Sequence, residues 1–131
     1  MDQPRWISKR AVLAMHSEQL AEHGGSEGIR DETLLDSALA KPLNVFAYEE
    51  EPSTFRLAAS YAYGIARNHA FVDGNKRTVL VVSLSFLDRH GWDIAASKED
   101  LYFTFLHLAD GSLSEEELTA WFTQHAVPLK K

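Results

Sequence analysis

The sequence predicts an all-α domain, a compact bundle of about six helices with one short extended segment, and three observations carry the helical part of that expectation. Apolar residues recur at three- and four-residue spacing along most of the chain. Ser or Asp stands just ahead of several of these periodic runs, where its side-chain oxygen can accept from the free N–H groups of a first helical turn. Glycines follow them, at Gly24-Gly25, Gly91 and Gly111, where a helix is readily closed.

In chain order, Ser8 caps a helix over Lys9 to His23, with Ile7 and Val12 placed as a hydrophobic staple. Asp31 caps a short helix through Leu34, Leu35, Ala38 and Leu39, which Pro42 is expected to stop. Leu43 to Tyr48 is rich in β-branched and aromatic residues and reads as an extended segment or small hairpin ahead of the solvated Glu49-Glu50-Glu51 run. A third helix starts at Thr54, with Phe55, Ala58, Ala59, Ala62, Ile65 and Ala66 in phase, and ends near Asn68. Lys76 to His90 has no breaker and is too long for an ordinary strand; apolar on nearly all sides, it is expected at the middle of the bundle. Ser97 and Ser114 begin two further helices, the second with Glu117 placed to complete a capping box. Val127 to Lys131 is expected to fray.

Composition narrows the possible functions. The 131 residues suit one domain over 1–131, with 45% apolar and 24% charged residues, the balance of a globular chain. Thirteen Lys and Arg against nineteen Asp and Glu give a net charge of −6, which argues against a broad nucleic-acid face. No Cys is present, so disulfides, thiolate chemistry and Cys-based zinc sites are excluded. No apolar run is long enough for a membrane span and no secretory signal opens the chain, so the expected location is the cytoplasm.

The chemistry concentrates in His69-Ala70-Phe71-Val72-Asp73-Gly74-Asn75-Lys76-Arg77. Gly74 frees the backbone for close approach to a ligand, and Asn75-Lys76-Arg77 open a helix whose unpaired N–H groups favour an anion. Lys76 and Arg77 add two positive charges beside them, Arg with a fork suited to phosphate oxygens. Asp73 has the wrong sign for phosphate but the right chemistry for Mg²⁺, which combines one or two carboxylates with phosphate oxygens. His69 belongs to the residue type that titrates near neutrality and is able to take a proton from an attacking hydroxyl. Singly these residues also read as a turn, a helix end and a surface Asp73–Arg77 pair; their conjunction is what points to phosphate-group transfer.

That segment resembles the H-x-F-x-[DE]-G-N-x-R signature of the Fic/Doc superfamily, and its Lys76 resembles the death-on-curing (Doc) toxin branch in particular. The resemblance extends to His16–Leu20, Gly24–Asp31 and Leu35–Pro42. It implies a helical Fic fold in which His69 is general base, Asp73 holds Mg²⁺, and Gly74, Asn75 and Arg77 hold the phosphates of ATP. Phe71 is then a core anchor. AMP-transferring relatives have Gly where this chain has Lys76, leaving room for a second phosphate pocket. Lys76 is expected to fill that pocket, so that ATP binds the other way round with its γ-phosphate toward the acceptor. Leu80 replaces a second Arg common in AMP transferases, and Val81 replaces an Asn of close Doc relatives.

The resemblance further implies a kinase toxin acting on a Ser or Thr of a cytoplasmic protein, with elongation factor Tu as the expected target and translation arrest as the result. It also implies an antitoxin partner with a disordered inhibitory segment, and no direct contact with DNA or membrane. Nucleotidyl (AMP) transfer and a catalytically silent binding module remain as alternatives. Outside the motif, His16, Glu22, Arg30 and Asp31 read as structural, and Arg67 is equally compatible with facing the phosphates or not. The three tryptophans, Phe103, Phe105 and Phe122 read as core or partner-facing surface, and His90, His107 and His125 as no metal site.

Overall fold

A computed structural model describes residues 3–130. Among them are six helices, α1 (Lys9–His23), α2 (Glu32–Tyr48), α3 (Thr54–Asn68), α4 (Asn75–Arg89), α5 (Lys98–Asp110) and α6 (Glu115–His125), and two short strands, β1 (Trp92–Ile94) and β2 (Ala126–Pro128). The all-α expectation holds. Five of the six helices begin on a side-chain cap: Ser8, Asp31, Ser53, Ser97 and Ser114 each accept from a backbone N–H three residues on. Ser114 and Glu117 form the reciprocal capping box.

Three expectations are corrected. Pro42 does not stop α2; the helix continues through Leu43–Tyr48, so the extended segment expected at 43 to 50 is helical as far as Tyr48. Proline deprives the Ala38 carbonyl of its usual intrahelical donor, but that carbonyl lies against Gly64 of α3, where an added Cβ would stand 3.2 Å from it. Pro42 and Val45 are buried on the α3 side, and Phe46 meets Trp6 edge-on at 5.7 Å. Burial of these side chains outweighs a local β preference spanning at most about 1 kcal/mol per residue.

The second correction concerns the middle of the bundle. α3, not α4, is the enclosed helix: everything from Leu57 to Ile65 except Tyr63 is buried, whereas Leu80, Val81, Leu84 and Ser85 of α4 are only half-buried. Ala58, Ala59, Ala62, Gly64 and Ala66 keep α3 thin, so α2, α4 and α6 pack around it. Third, the chain end does not fray where expected. Ala126–Pro128 pairs antiparallel with Trp92–Ile94 in the register Trp92↔Pro128 and Ile94↔Ala126. Lys131 lies outside the described residues.

The aromatic residues mostly fill the core, as expected. Phe86 stands 6.1 Å from Trp6 and 5.3 Å from Tyr61, and Phe105 and Phe122 pack across the α5–α6 side. His90 and His125 are tied by Nδ1 to the carbonyls of Phe86 and Trp121 one turn earlier. No helix among the described residues is long and apolar enough to cross a membrane.

Candidate active site

The loop between α3 and α4 is held by its neighbours at nearly every residue. α3 ends on His69 in the left-handed region (φ 45°, ψ 52°). A non-glycine residue tolerates that conformation only where the surroundings impose it. Arg30 imposes it here: its Nε donates to the His69 carbonyl at 2.7 Å and its Nη2 to the Asn68 carbonyl at 2.9 Å. The backbones of 28–30 and 70–72 pair as an isolated antiparallel bridge, with Arg30 N–H on the Ala70 carbonyl (2.7 Å) and Val72 N–H on the Gly28 carbonyl (3.1 Å).

Ala70 and Phe71 point into the core, at 0% and 1% exposure, which makes Phe71 the anchor the sequence suggested. Asn75 closes the loop upon itself, its Oδ1 accepting from Phe71 N–H at 3.1 Å and its Nδ2 donating to the Phe71 carbonyl at 2.9 Å. Both polar ends of that side chain are therefore engaged by the loop, each through one hydrogen bond. Its backbone N–H, at the start of α4, and the second Nδ2–H remain for a ligand.

His16 of α1 lies beneath the loop. Its ring stacks on Phe71 with centroids 3.8 Å apart, and its Nε2–H donates to the Asp73 carbonyl at 2.7 Å. Because a carbonyl can only accept, this contact assigns the proton to Nε2. The structural reading of His16 and Arg30 holds, but their target, the active loop itself, is something the sequence did not reveal. Sequence distance hid it: His16 and Asp73 are 57 residues apart.

Gly74 caps α4 at φ 77°, and α4 is the helix whose first turn no side chain caps. Its first backbone bond is Thr78 N–H to the Gly74 carbonyl, so the N–H groups of Asn75, Lys76 and Arg77 precede any intrahelical acceptor. A Cβ at Gly74 would also lie 3.2 Å from Leu20 and 3.6 Å from the His16 ring. Asp73 is exposed; its Oδ1 accepts from Gly74 N–H (2.8 Å) and its Oδ2 from Ser26 N–H (3.3 Å). These two backbone N–H groups, with smaller help from the charges of Arg77 and His16, hold its carboxyl below the usual Asp range. Gly25 makes room for it: a Cβ there would stand 2.8 Å from Oδ2.

His69, Asp73, Gly74, Asn75, Lys76 and Arg77 all line one cleft of about 640 Å³. The structure thus brings together every site residue the sequence proposed. Its opposite wall, which the sequence did not identify, is largely apolar, Leu80 of α4 with Leu101, Tyr102, Phe105 and Leu106 of α5, and ends on the Asp110 carboxylate. Helical spacing along α5 carried that signal, since 101, 102, 105 and 106 share a face. Arg77 reaches toward the Gly24 carbonyl at 3.5 Å, while Val81 borders a different cavity beside Trp92 and Ile94, away from the cleft. Arg67 also lines a different cavity, between α2 and α3.

The donor set fits a hard cation. Among the described residues no group of three or more His, Asp or Glu side chains gathers to cage a metal, and Mg²⁺ typically needs only one or two carboxylates when phosphate supplies the rest. An ionised, exposed Asp73 keeps lone pairs free on both oxygens after its two backbone bonds.

A helical bundle that presents a histidine at a helix end, a carboxylate and an uncapped, cation-flanked helix start in one cleft has the form of a phosphate-group transferase. A sequence profile described as Fic/DOC family matches residues 6–87, and the chain belongs to that family. It is 35% identical over 95 residues to the protein kinase doc of Escherichia phage P1, covering 72% of this chain and 75% of that protein. It is 42% identical over 74 residues to the toxin Doc of Mycolicibacterium smegmatis, covering 56% of this chain and 57% of that one.

Proposed function

We propose that this protein is the toxin of a toxin–antitoxin pair and acts as a protein kinase, transferring the γ-phosphoryl group of ATP to a Ser or Thr hydroxyl of a cytoplasmic protein. The observation that carries the reading is that Lys76 lines the same cleft as His69, Asp73 and Arg77. A lysine side chain there, in place of glycine, takes up space that a second phosphate pocket would need. The nucleotide then enters with its γ end nearest the base, and the group nearest the base, in line with the attacking oxygen, is the one transferred. Support comes also from the two Doc relatives, one named a kinase and the other a toxin.

In this reading the imidazole of His69 removes the acceptor hydroxyl's proton as its oxygen attacks the γ-phosphorus. The bond from that phosphorus to the β–γ bridging oxygen breaks, and ADP leaves. The backbone N–H groups of Asn75, Lys76 and Arg77, with the two cationic side chains, stabilise the phosphate oxygens. Mg²⁺ held at Asp73 would supply charge neutralisation between neighbouring phosphates. Elongation factor Tu is the proposed acceptor and a small antitoxin with a disordered segment the proposed partner.

Induced expression tests the cellular side. Wild type is expected to arrest growth, His69→Ala to leave growth unaffected, and coexpression of the neighbouring small reading frame to relieve the arrest. Equal slowing by wild type and His69→Ala would reject toxicity through this site.

A further inference from the structure

The last turn of α3 divides the surface in two. His69 faces the α4–α5 cleft, while the two residues before it, Arg67 and Asn68, line a separate cavity of about 530 Å³ between α2 and α3. Arg67 is exposed, yet its position is confined. Its Cζ stands 5.9 Å from the centre of the Tyr63 ring, a cation–π distance. On its other side Nη1 occupies space that a side chain at Gly111 would fill, 2.8 Å from where a Cβ would stand. Gly111 ends α5, so the guanidinium also lies against the negative end of that helix.

The other charges lining the cavity are already matched. Lys41 bonds to Glu115 at 2.8 Å, and Glu49 bonds to Arg56 at 2.7 Å. Among the described residues Arg67 enters no ion pair. The cavity therefore presents one positioned guanidinium that has no carboxylate partner among the described residues, with a planar fork of donors suited to a carboxylate. Because Arg67 does not share the cleft of Lys76 and Arg77, the nucleotide phosphates are not its natural partner.

We infer that the α2–α3 cavity is a docking subsite for an acidic side chain of the acceptor protein, with Arg67 as the specificity-determining residue. An acceptor chain whose hydroxyl lies over His69 crosses the α3 terminus to reach the cavity. At roughly 3.3 Å per residue of extended chain, the spacing between the hydroxyl and the Asp or Glu reports the distance from His69 to the guanidinium. This inference rests on the transfer reading above, but its test does not depend on turnover.

The probe is a set of serine-containing peptides in which one Asp is walked outward from the serine on either side, with Asn twins. Binding is followed by fluorescence anisotropy and transfer by label from γ-labelled ATP. Wild type is expected to prefer the Asp peptide over its Asn twin at one offset by about tenfold. Arg67→Gln is expected to erase that preference and Arg67→Lys to keep part of it. Absence of a preferred offset, or a preference intact in Arg67→Gln, overturns the inference. So does a loss of ATP affinity in Arg67→Gln with peptide preference intact, which would assign the guanidinium to the nucleotide. If wild type shows the preference but transfers no label, the docking subsite stands and the transfer reading falls.

Discussion

Asn75→Ala separates loop support from ligand contact. The side chain satisfies both the N–H and the carbonyl of Phe71, at 3.1 and 2.9 Å, and Phe71 is 1% exposed. Removing it leaves two buried backbone groups without partners, each costing about 1–3 kcal/mol. Alanine's better helix propensity at the start of α4 returns only about 0.5 kcal/mol. The net loss is about 1.5–5.5 kcal/mol, which in a domain of this size lowers Tm by about 5–20 °C. Asn75→Asp keeps the acceptor for Phe71 N–H but sets an oxygen against the Phe71 carbonyl, so its stability is expected to fall at least as far. Thermal unfolding followed by circular dichroism reads both variants. A Tm within about 2 °C of wild type for Asn75→Ala, accompanied by weakened ATP binding, would refute the assignment and make Asn75 chiefly a ligand contact.

Other substitutions probe other links. Gly64→Ala pits a propensity gain of about 1 kcal/mol against a Cβ placed 3.2 and 3.3 Å from the backbone O and Cα of Ala38. Backbone has little room to give, so overpacking is expected to win by about 1–2 kcal/mol; a raised midpoint in urea would contradict the close α2–α3 contact. Gly25→Ala drives a methyl to 2.8 Å from Asp73 Oδ2, so transfer is expected to fall at least about tenfold, about 1.4 kcal/mol in the barrier, in a labelling assay, while far-ultraviolet circular dichroism stays native. Asp73 and Glu117 both have folded-state carboxyls held below their ordinary values, by Gly74 and Ser26 N–H and by Ser114 respectively. Groups depressed in this way add stability above their unfolded pKa and lose it as pH falls through the folded value. Tm is therefore expected to drop with acidification below roughly pH 4, and to drop less steeply in Glu117→Gln.

Local chemistry made much of this molecule legible. The caps at Ser8, Asp31 and Ser114 and the stop at Gly111 rest on bonds within a single turn, which is why α1, α5, α6 and the start of α2 stand where the sequence placed them. Pro42 misled because its setting is tertiary: α2 packs closely on α3, where the Ala38 carbonyl that proline leaves free lies against Gly64. The burial of α3 misled for a related reason. Its small residues look weakly hydrophobic in sequence, yet they let three helices approach it at once.

In the site, the motif placed His69, Asp73, Gly74, Asn75, Lys76 and Arg77 together because they are contiguous. It did not disclose what supports them: Arg30 on the His69 carbonyl, His16 on the Asp73 carbonyl, and the α5 wall of Leu101, Tyr102, Phe105 and Leu106. Each of those contacts joins distant parts of the chain.

The most direct test of γ-phosphoryl transfer is a pair of labelling reactions that differ only in the labelled phosphate. Purified protein, a cell lysate and Mg²⁺ are incubated with ATP labelled at either the γ- or the α-position, beside a His69→Ala control. The arrangement of Lys76 and His69 in one cleft predicts that a protein band takes up label from the γ-position alone and only with wild type. Label arriving from the α-position would contradict it and make the protein a nucleotidyl transferase.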